Sequence, residues 1–195
     1  MGNPPISFHN NSLEEVQSLK LQSLTLQHDL SWANHISKVA SKASRRLGIL
    51  RRKKSFLGTP ELLSTDKAFI HCLMDYCSHL WAGALASHVA RLDILETKAF
   101  KIIGISCDET ESMGRSLSHH RQVGGLFVFC QPLSGLAHSA LSVLCPPTSQ
   151  VSARLTRSTF NPLLVKLRNS RIPAHLHSFV PLFSHLWNKL PHPLQ

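Results

Sequence analysis

Carboxylates are scarce in this chain of 195 residues, and past Glu111 there are none. The remaining 84 residues carry eight Lys and Arg but no Asp or Glu. That stretch alone cannot supply a carboxylate pair for acid–base work, a Ser-His-Asp triad or an acidic cradle for magnesium. Over the whole chain 21 Lys and Arg face 11 Asp and Glu, a formal charge of +10 with histidine neutral. The charge of the acid-free stretch must be met by something outside it, and a polyanion is the simplest source. Charged residues are 16% of the sequence and hydrophobic ones 43%. This excludes a highly charged disordered chain, a collagen-like chain and a coiled coil.

Further absences narrow the chemistry. No GxxxxGK[ST] or GxGxxG loop occurs, Gly114-Arg115-Ser116 fails the GxSxG frame, and no Asp-Asp pair is present for a two-metal site. Asp66, Asp75, Asp93 and Glu96 fall among polar helical positions and read as solvated surface, Asp93 beside Arg91 and Glu96 near Lys98. The five cysteines, Cys72, Cys77, Cys107, Cys130 and Cys145, form no CxxC pair, so reduced thiols are expected. His71, Cys72, Cys77 and His79 cluster, but at no finger or ribbon spacing, and Cys77 falls on an apolar stripe. No catalytic residue, metal site or cofactor is expected. The opening Met1 to Glu15 is polar, without the apolar run of a secretory signal, and Ile6 breaks a myristoylation pattern. The expectation is an intracellular chain, cytoplasmic or nuclear, and not secreted. Residues 122–153 carry no formal charge, longer than the ~20 residues that cross a bilayer. Gln131, Pro132, His138 and several serines interrupt them, so a membrane span is not expected.

What is present is mainly helical pattern. Leu19, Leu21, Leu24 and Leu26 alternate as in one or two short strands. From Ala33 the period changes, and Ile36, Val39, Ala40, Ala43, Leu47 and Leu50 fall on one helical face ending before Gly58. Thr59-Pro60-Glu61 opens a second helix, with proline at its first turn. It is expected to run unbroken to Gly83, burying Leu62, Leu63, Phe69, Ile70, Leu73, Met74, Cys77 and Trp81. A third helix starts near Ser87 and stops at Gly104. Beyond it, Gly124-Gly125 and Pro132 are expected to interrupt any helix, Pro146-Pro147 to form a linker, and Val151 to Leu167 to hold short strands. Phe179, Leu182, Phe183, Leu186, Trp187 and Leu190 form a last apolar cluster.

The organisation expected is therefore a disordered N-terminus over 1–18, a strand or hairpin lead-in over 19–32, and a three-helix unit over 33–104. After these come a connector and apolar segment over 105–145 and a basic, proline-containing extension over 146–195. The fold class is mainly α, with an irregular α+β extension.

One helix carries a direct functional signal. Between Lys38 and Lys54 lie Lys38, Lys42, Arg45, Arg46, Arg51, Arg52, Lys53 and Lys54, with no acid among them. Aligned on one face, they match the geometry of phosphate contacts. An ordinary solvated face, a nuclear-localisation run at Arg51 to Lys54 and an anionic membrane surface are the other readings of such a stripe.

At these residues the chain resembles a known family. Asp29-Leu30-Ser31-Trp32, His35-Ile36 and the run from Lys42 to Arg52 are similar to the segment just after the catalytic palm in reverse transcriptases of non-LTR, jockey-like or LINE-type retrotransposons. Met74-Asp75-Tyr76-Cys77-Ser78-His79-Leu80-Trp81 looks like the family's M-E-Y-C-S-H-V-W, and Leu117-Ser118-His119-His120-Arg121-Gln122-Val123 like its L-S-H-R-R-x-V. Leu186-Trp187-Asn188-Lys189-Leu190-Pro191 resembles its ending, in collinear order over about 19–191. The resemblance implies a thumb-like unit over 33–104 and an extension, with the polymerase carboxylates on a palm upstream of the matched segment. It further implies contact with the backbone of RNA, an RNA–DNA hybrid or a DNA duplex through the basic helix, and structural roles for Trp32, Tyr76, Cys77, Trp81 and Trp187. Three positions depart from the pattern: Gln22-Ser23 replaces a Leu-Gly step, His71-Cys72 replaces an Arg-Pro, and Pro132 enters an aromatic-rich helix. These departures fit a relic reading frame with no remaining role.

Overall fold

A computed structural model describes residues 7–8, 11–12, 16–106, 116–146, 164–167 and 170–191. Two antiparallel pairs come first. Strands β1 (Ser7–Phe8) and β2 (Asn11–Ser12) form a minimal ladder within the stretch expected to be disordered. Strands β3 (Ser18–Leu21) and β4 (Leu24–Gln27) form the expected hairpin. Gln22 and Ser23 make its turn, both at positive φ (44° and 74°), the conformation a two-residue hairpin loop demands.

Helix α1 (Ala33–Lys53) buries Ile36, Val39, Ala40, Ala43, Leu47 and Leu50, the face its period specifies. Its N-terminus is tied to the hairpin rather than capped by its own residues. Gln27 Oε1 accepts from the Asn34 N–H (3.1 Å) and the Ser31 hydroxyl (3.2 Å). The Thr25 N–H donates to Nδ1 of the buried His35 (3.3 Å). Three basic residues in the last turn complement the helix dipole.

The second helical stretch is not the unbroken helix its sequence predicts. It starts as α2 (Thr59–Asp66), passes through a π-helical turn (Lys67–His71), resumes as α3 (Cys72–Asp75) and breaks at Tyr76-Cys77 before α4 (Ser78–Trp81). The extra residue of a π turn rotates the helix beyond it. Phe69 is thereby turned outward and is 60% exposed, while Leu62, Ile70, Met74 and Trp81 stay inside. Cys77 takes a left-handed conformation (φ 51°) and is half-buried, and the Tyr76 hydroxyl donates across the break to the Gln22 carbonyl (3.1 Å). Helix α5 (Ala86–Ile103) packs on α1 and ends at Gly104, whose φ of 91° lets the chain leave.

Helix α6 (Leu117–Leu133) overturns a second expectation, running through Gly124, Gly125 and Pro132. Gly125 faces the Phe183 ring so closely that a Cβ there would overlap it. Pro132 sits in the last turn, and its cost of up to ~3 kcal/mol in a helix interior is offset by burying Phe129, one turn earlier, in a second core. After a short turn, α7 (Ser139–Ser142), and a single-turn α8 (Pro173–Leu176), helix α9 (Phe179–Lys189) supplies Phe183 and Trp187 to that core. Asn188 completes it by mimicking a strand: its side chain accepts from the Val165 N–H (3.0 Å) and donates to the Val165 carbonyl (2.9 Å). Val165 is buried there. The strands expected over 151–163 lie outside the described residues. No helix among the described residues is long and apolar enough to cross a membrane.

The two glycines of α6 separate fit from propensity. Gly125→Ala is expected to destabilise by about 1–3 kcal/mol, because the ring opposite must move. Gly124→Ala, with nothing within 4 Å of a new Cβ, is expected to stabilise by about 0.5–1 kcal/mol. Urea unfolding of the two variants checks the contrast, and equal effects would contradict the packing.

Candidate nucleic-acid interface

A straight helix turns about 100° per residue, which sorts the cations of α1 by face. Lys38, Lys42, Arg45 and Arg52 fall on the side opposite Ile36, Ala43 and Leu47, with Lys53 at its edge, and all five are exposed. Arg46 sits at the edge of that stripe, half-buried, and its guanidinium donates to the Phe69 carbonyl in the π-helical turn. Arg51 turns to the other flank, where it lines a groove with Ser44, Gly48 and Lys98 of α5. Lys54 lies just past the helix end. The eight cations therefore do not share one face: five make the stripe, Arg46 is engaged in the fold, and Arg51 and Lys54 flank it.

None of the eight has an acidic partner among the described residues, whose ion pairs are His120–Asp75 (3.4 Å) and Arg121–Asp93 (2.7 Å). Their local bonds are weak tethers: Lys38 Nζ donates to Thr25 Oγ1 (3.4 Å) and Arg45 Nε to the Ser41 carbonyl (3.4 Å). Beneath the stripe, burial lowers the pKa of His35, and Lys38 and Lys42 lower it further, so the imidazole is held neutral. The surface can hold an extended row of anions by charge.

Of the four acids expected at the surface, Asp66 and Glu96 are buried, while Asp75 and Asp93 are half-exposed at the edge of a polar joint. Arg121, from α6, is buried and reaches Asp93 on α5 through Nη2, with its guanidinium 6.0 Å from the Trp81 ring centre. Glu96 accepts the N–H of Leu117, the first residue of α6 (2.7 Å), and so caps that helix. Asp75 accepts from Ser78 Oγ (3.1 Å) and lies 3.4 Å from His120 Nδ1, while the His71 and His120 rings meet edge to face at 4.9 Å. The two motifs around Asp75–Trp81 and Leu117–Arg121, far apart in sequence, thus meet at one place. Burial pushes Glu96 up to about 7, with neighbouring Asp93 adding and the Leu117 N–H and Arg121 opposing, and pushes Asp66 up to about 6. The expected pairs Asp93–Arg91 and Glu96–Lys98 are absent because Asp93 turns to Arg121 and Glu96 to Leu117. The periodicity carries the signal: Asp66 is four residues from both Leu62 and Ile70, and Glu96 four past Leu92, all buried.

Of the aromatic and cysteine positions given structural roles, Trp81 and Trp187 are buried in the two cores. Trp32 and Cys77 pack half-buried against the first, and Tyr76 is 47% exposed and holds the hairpin turn. Among the described residues no group of His, Cys, Asp and Glu is placed to hold a metal ion. The exposed Cys72 is bonded to the Ala68 carbonyl.

A carboxyl whose folded pKa is raised stabilises the native state below its unfolded value, and that stability is lost as pH rises through the folded pKa. His35 and His71, whose pKa values burial lowers, act in the opposite sense. Glu96→Gln isolates the carboxyl, since the amide oxygen still caps Leu117. The variant is expected to match the parent below about pH 4.5, to exceed it increasingly as pH rises from there to about 7, and to hold a constant advantage above that. Chemical denaturation across that range checks this, and a difference independent of pH would contradict it.

Compared with family models, curated proteins and solved structures, the chain matches none of them.

Proposed function

We propose that this chain is the nucleic-acid-gripping, post-palm part of a non-LTR-type RNA-directed DNA polymerase, binding RNA, hybrid or duplex DNA by its backbone without sequence preference. The observation that carries the reading is the exposed row of Lys38, Lys42, Arg45, Arg52 and Lys53, unopposed by any described carboxylate. The convergence of the Met74–Trp81 and Leu117–Val123 strings, two of those that resemble the family, supports it. No residue of this chain is assigned a catalytic role or a cofactor. On this reading the chemistry belongs to a palm, which is then its protein partner.

Two other readings predict different behaviour. A relic without function shows no salt-dependent binding. A cationic protein held at a membrane surface through 122–145 draws on the exposure of Phe127 (67%), Leu136 (81%) and Val143 (79%), and it floats with anionic vesicles.

The test is a salt titration of binding to a hybrid or DNA duplex. Each phosphate contact adds about 0.9 to the slope of log affinity against log salt. Replacing Lys42, Arg45 and Arg52 by Gln is expected to lower that slope by about 2–3 and to weaken binding equally on unrelated sequences. Arg46 is left in place because it supports the π turn. An unchanged slope would refute the assignment.

A further inference from the structure

At the N-terminal end of α1 a pocket of about 650 Å³ opens to solvent. Leu26, Trp32, Leu80, Leu85, His88 and Phe179 wall it, so its lining is mostly apolar and aromatic. Its volume falls among those that hold small ring systems. Leu30, at its rim, is 81% exposed and held at a positive φ of 57°, and Leu85 opposite is 70% exposed. A bulky apolar residue in a left-handed conformation, displayed to water beside aromatic rings, marks a surface that is covered in use.

The pocket lies near the start of the basic stripe, though no Lys or Arg lines it. Ala33, the first residue of α1, lines it. Lys38, the first cation of the stripe, donates to Thr25, and the next two residues of that strand, Leu26 and Gln27, line the pocket. A backbone resting on Lys38 and Lys42 therefore delivers a neighbouring nucleotide to the pocket mouth. The single carboxylate in the lining, Asp29, is exposed and accepts the Ser31 N–H (2.9 Å), which holds its pKa below the usual value. A fixed negative charge there repels phosphate but accepts the N–H edge of a base. Phosphates outside on the stripe and a ring inside is the arrangement this charge pattern permits, and aromatic walls stack any base.

We propose that this pocket takes an unpaired nucleobase of the strand whose phosphates lie along α1. The proposal rests on the nucleic-acid reading above and adds to it a preference for a duplex with a single-stranded tail.

The test compares three DNA hairpins with the full chain: blunt, with an oligothymidine tail, and with an abasic tail of the same length. The thymidine tail is expected to bind about fivefold or more tighter than either other probe, the effect of one stacked base. It is also expected to change the fluorescence of Trp32, the half-buried tryptophan, since Trp81 and Trp187 are 1% and 5% exposed. Leu85→Asn leaves a side chain suited to the position before α5, and His88→Ala alters a half-buried ring at the wall. Both are expected to remove the advantage of the tail and leave the blunt hairpin unchanged. Equal binding of thymidine and abasic tails overturns the pocket assignment while salt-dependent binding of the blunt hairpin leaves the stripe standing. A blunt hairpin bound without salt dependence overturns the stripe reading itself.

Discussion

Arg121 is the constraint on which the architecture turns. Its guanidinium is buried, so it needs both a counter-ion and hydrogen-bond acceptors, and Nη1 has none of the second among the described residues. Asp93 supplies the first from α5, and the Trp81 face lies beneath it at the end of α4. One side chain on α6 thereby fixes the relation of three helices and joins the first core to the second. Glu96 works beside it, receiving the start of α6 on the same helix that carries Asp93. Removing Asp93 leaves the buried Arg121 guanidinium without its counter-ion, whereas Asp93 itself is half-exposed and can be solvated.

Around the joint, the two cores obey different logic. The first is built from long helices whose apolar faces repeat at the helical period, and the hairpin is attached to it by His35, Gln27 and Tyr76. The second is aromatic, with Phe179 and Phe183 at 4.9 Å and Phe129 near Trp187 at 6.3 Å. Large rings cover much area per residue, which lets a short helix such as α9 close a core that aliphatic residues of the same number would leave open.

The helices α1 and α5 and the β3–β4 hairpin are legible in the sequence because local period and tertiary burial agree there. The face of α1 can be read residue by residue, and the stop at Gly104 comes from its backbone freedom. Two features are not legible. The π turn at Lys67–His71 leaves the apolar spacing almost intact, so the outward rotation of Phe69 has no local signature. Helix α6 contradicts its own propensities, because Gly125 is required by the ring of Phe183, a residue 58 positions further on. The basic stripe is legible as composition, but its division is not: that Arg46 serves the Phe69 carbonyl and Arg51 faces Lys98 depends on contacts from other helices. The buried acids mislead for a related reason, since charge alone argues for surface and only their phase with buried neighbours argues otherwise.

The pairing of Asn188 with Val165 has a consequence for how the molecule opens. The Asn188 amide ties residues 164–167 to α9, and among the described residues α9 packs mainly on α4 and α6. We therefore expect the second core to open more readily than the helices around Leu92 and Ile36. Backbone amides of α9 are then expected to exchange with solvent hydrogen in a subglobal opening that leaves α1 protected and the basic face unchanged.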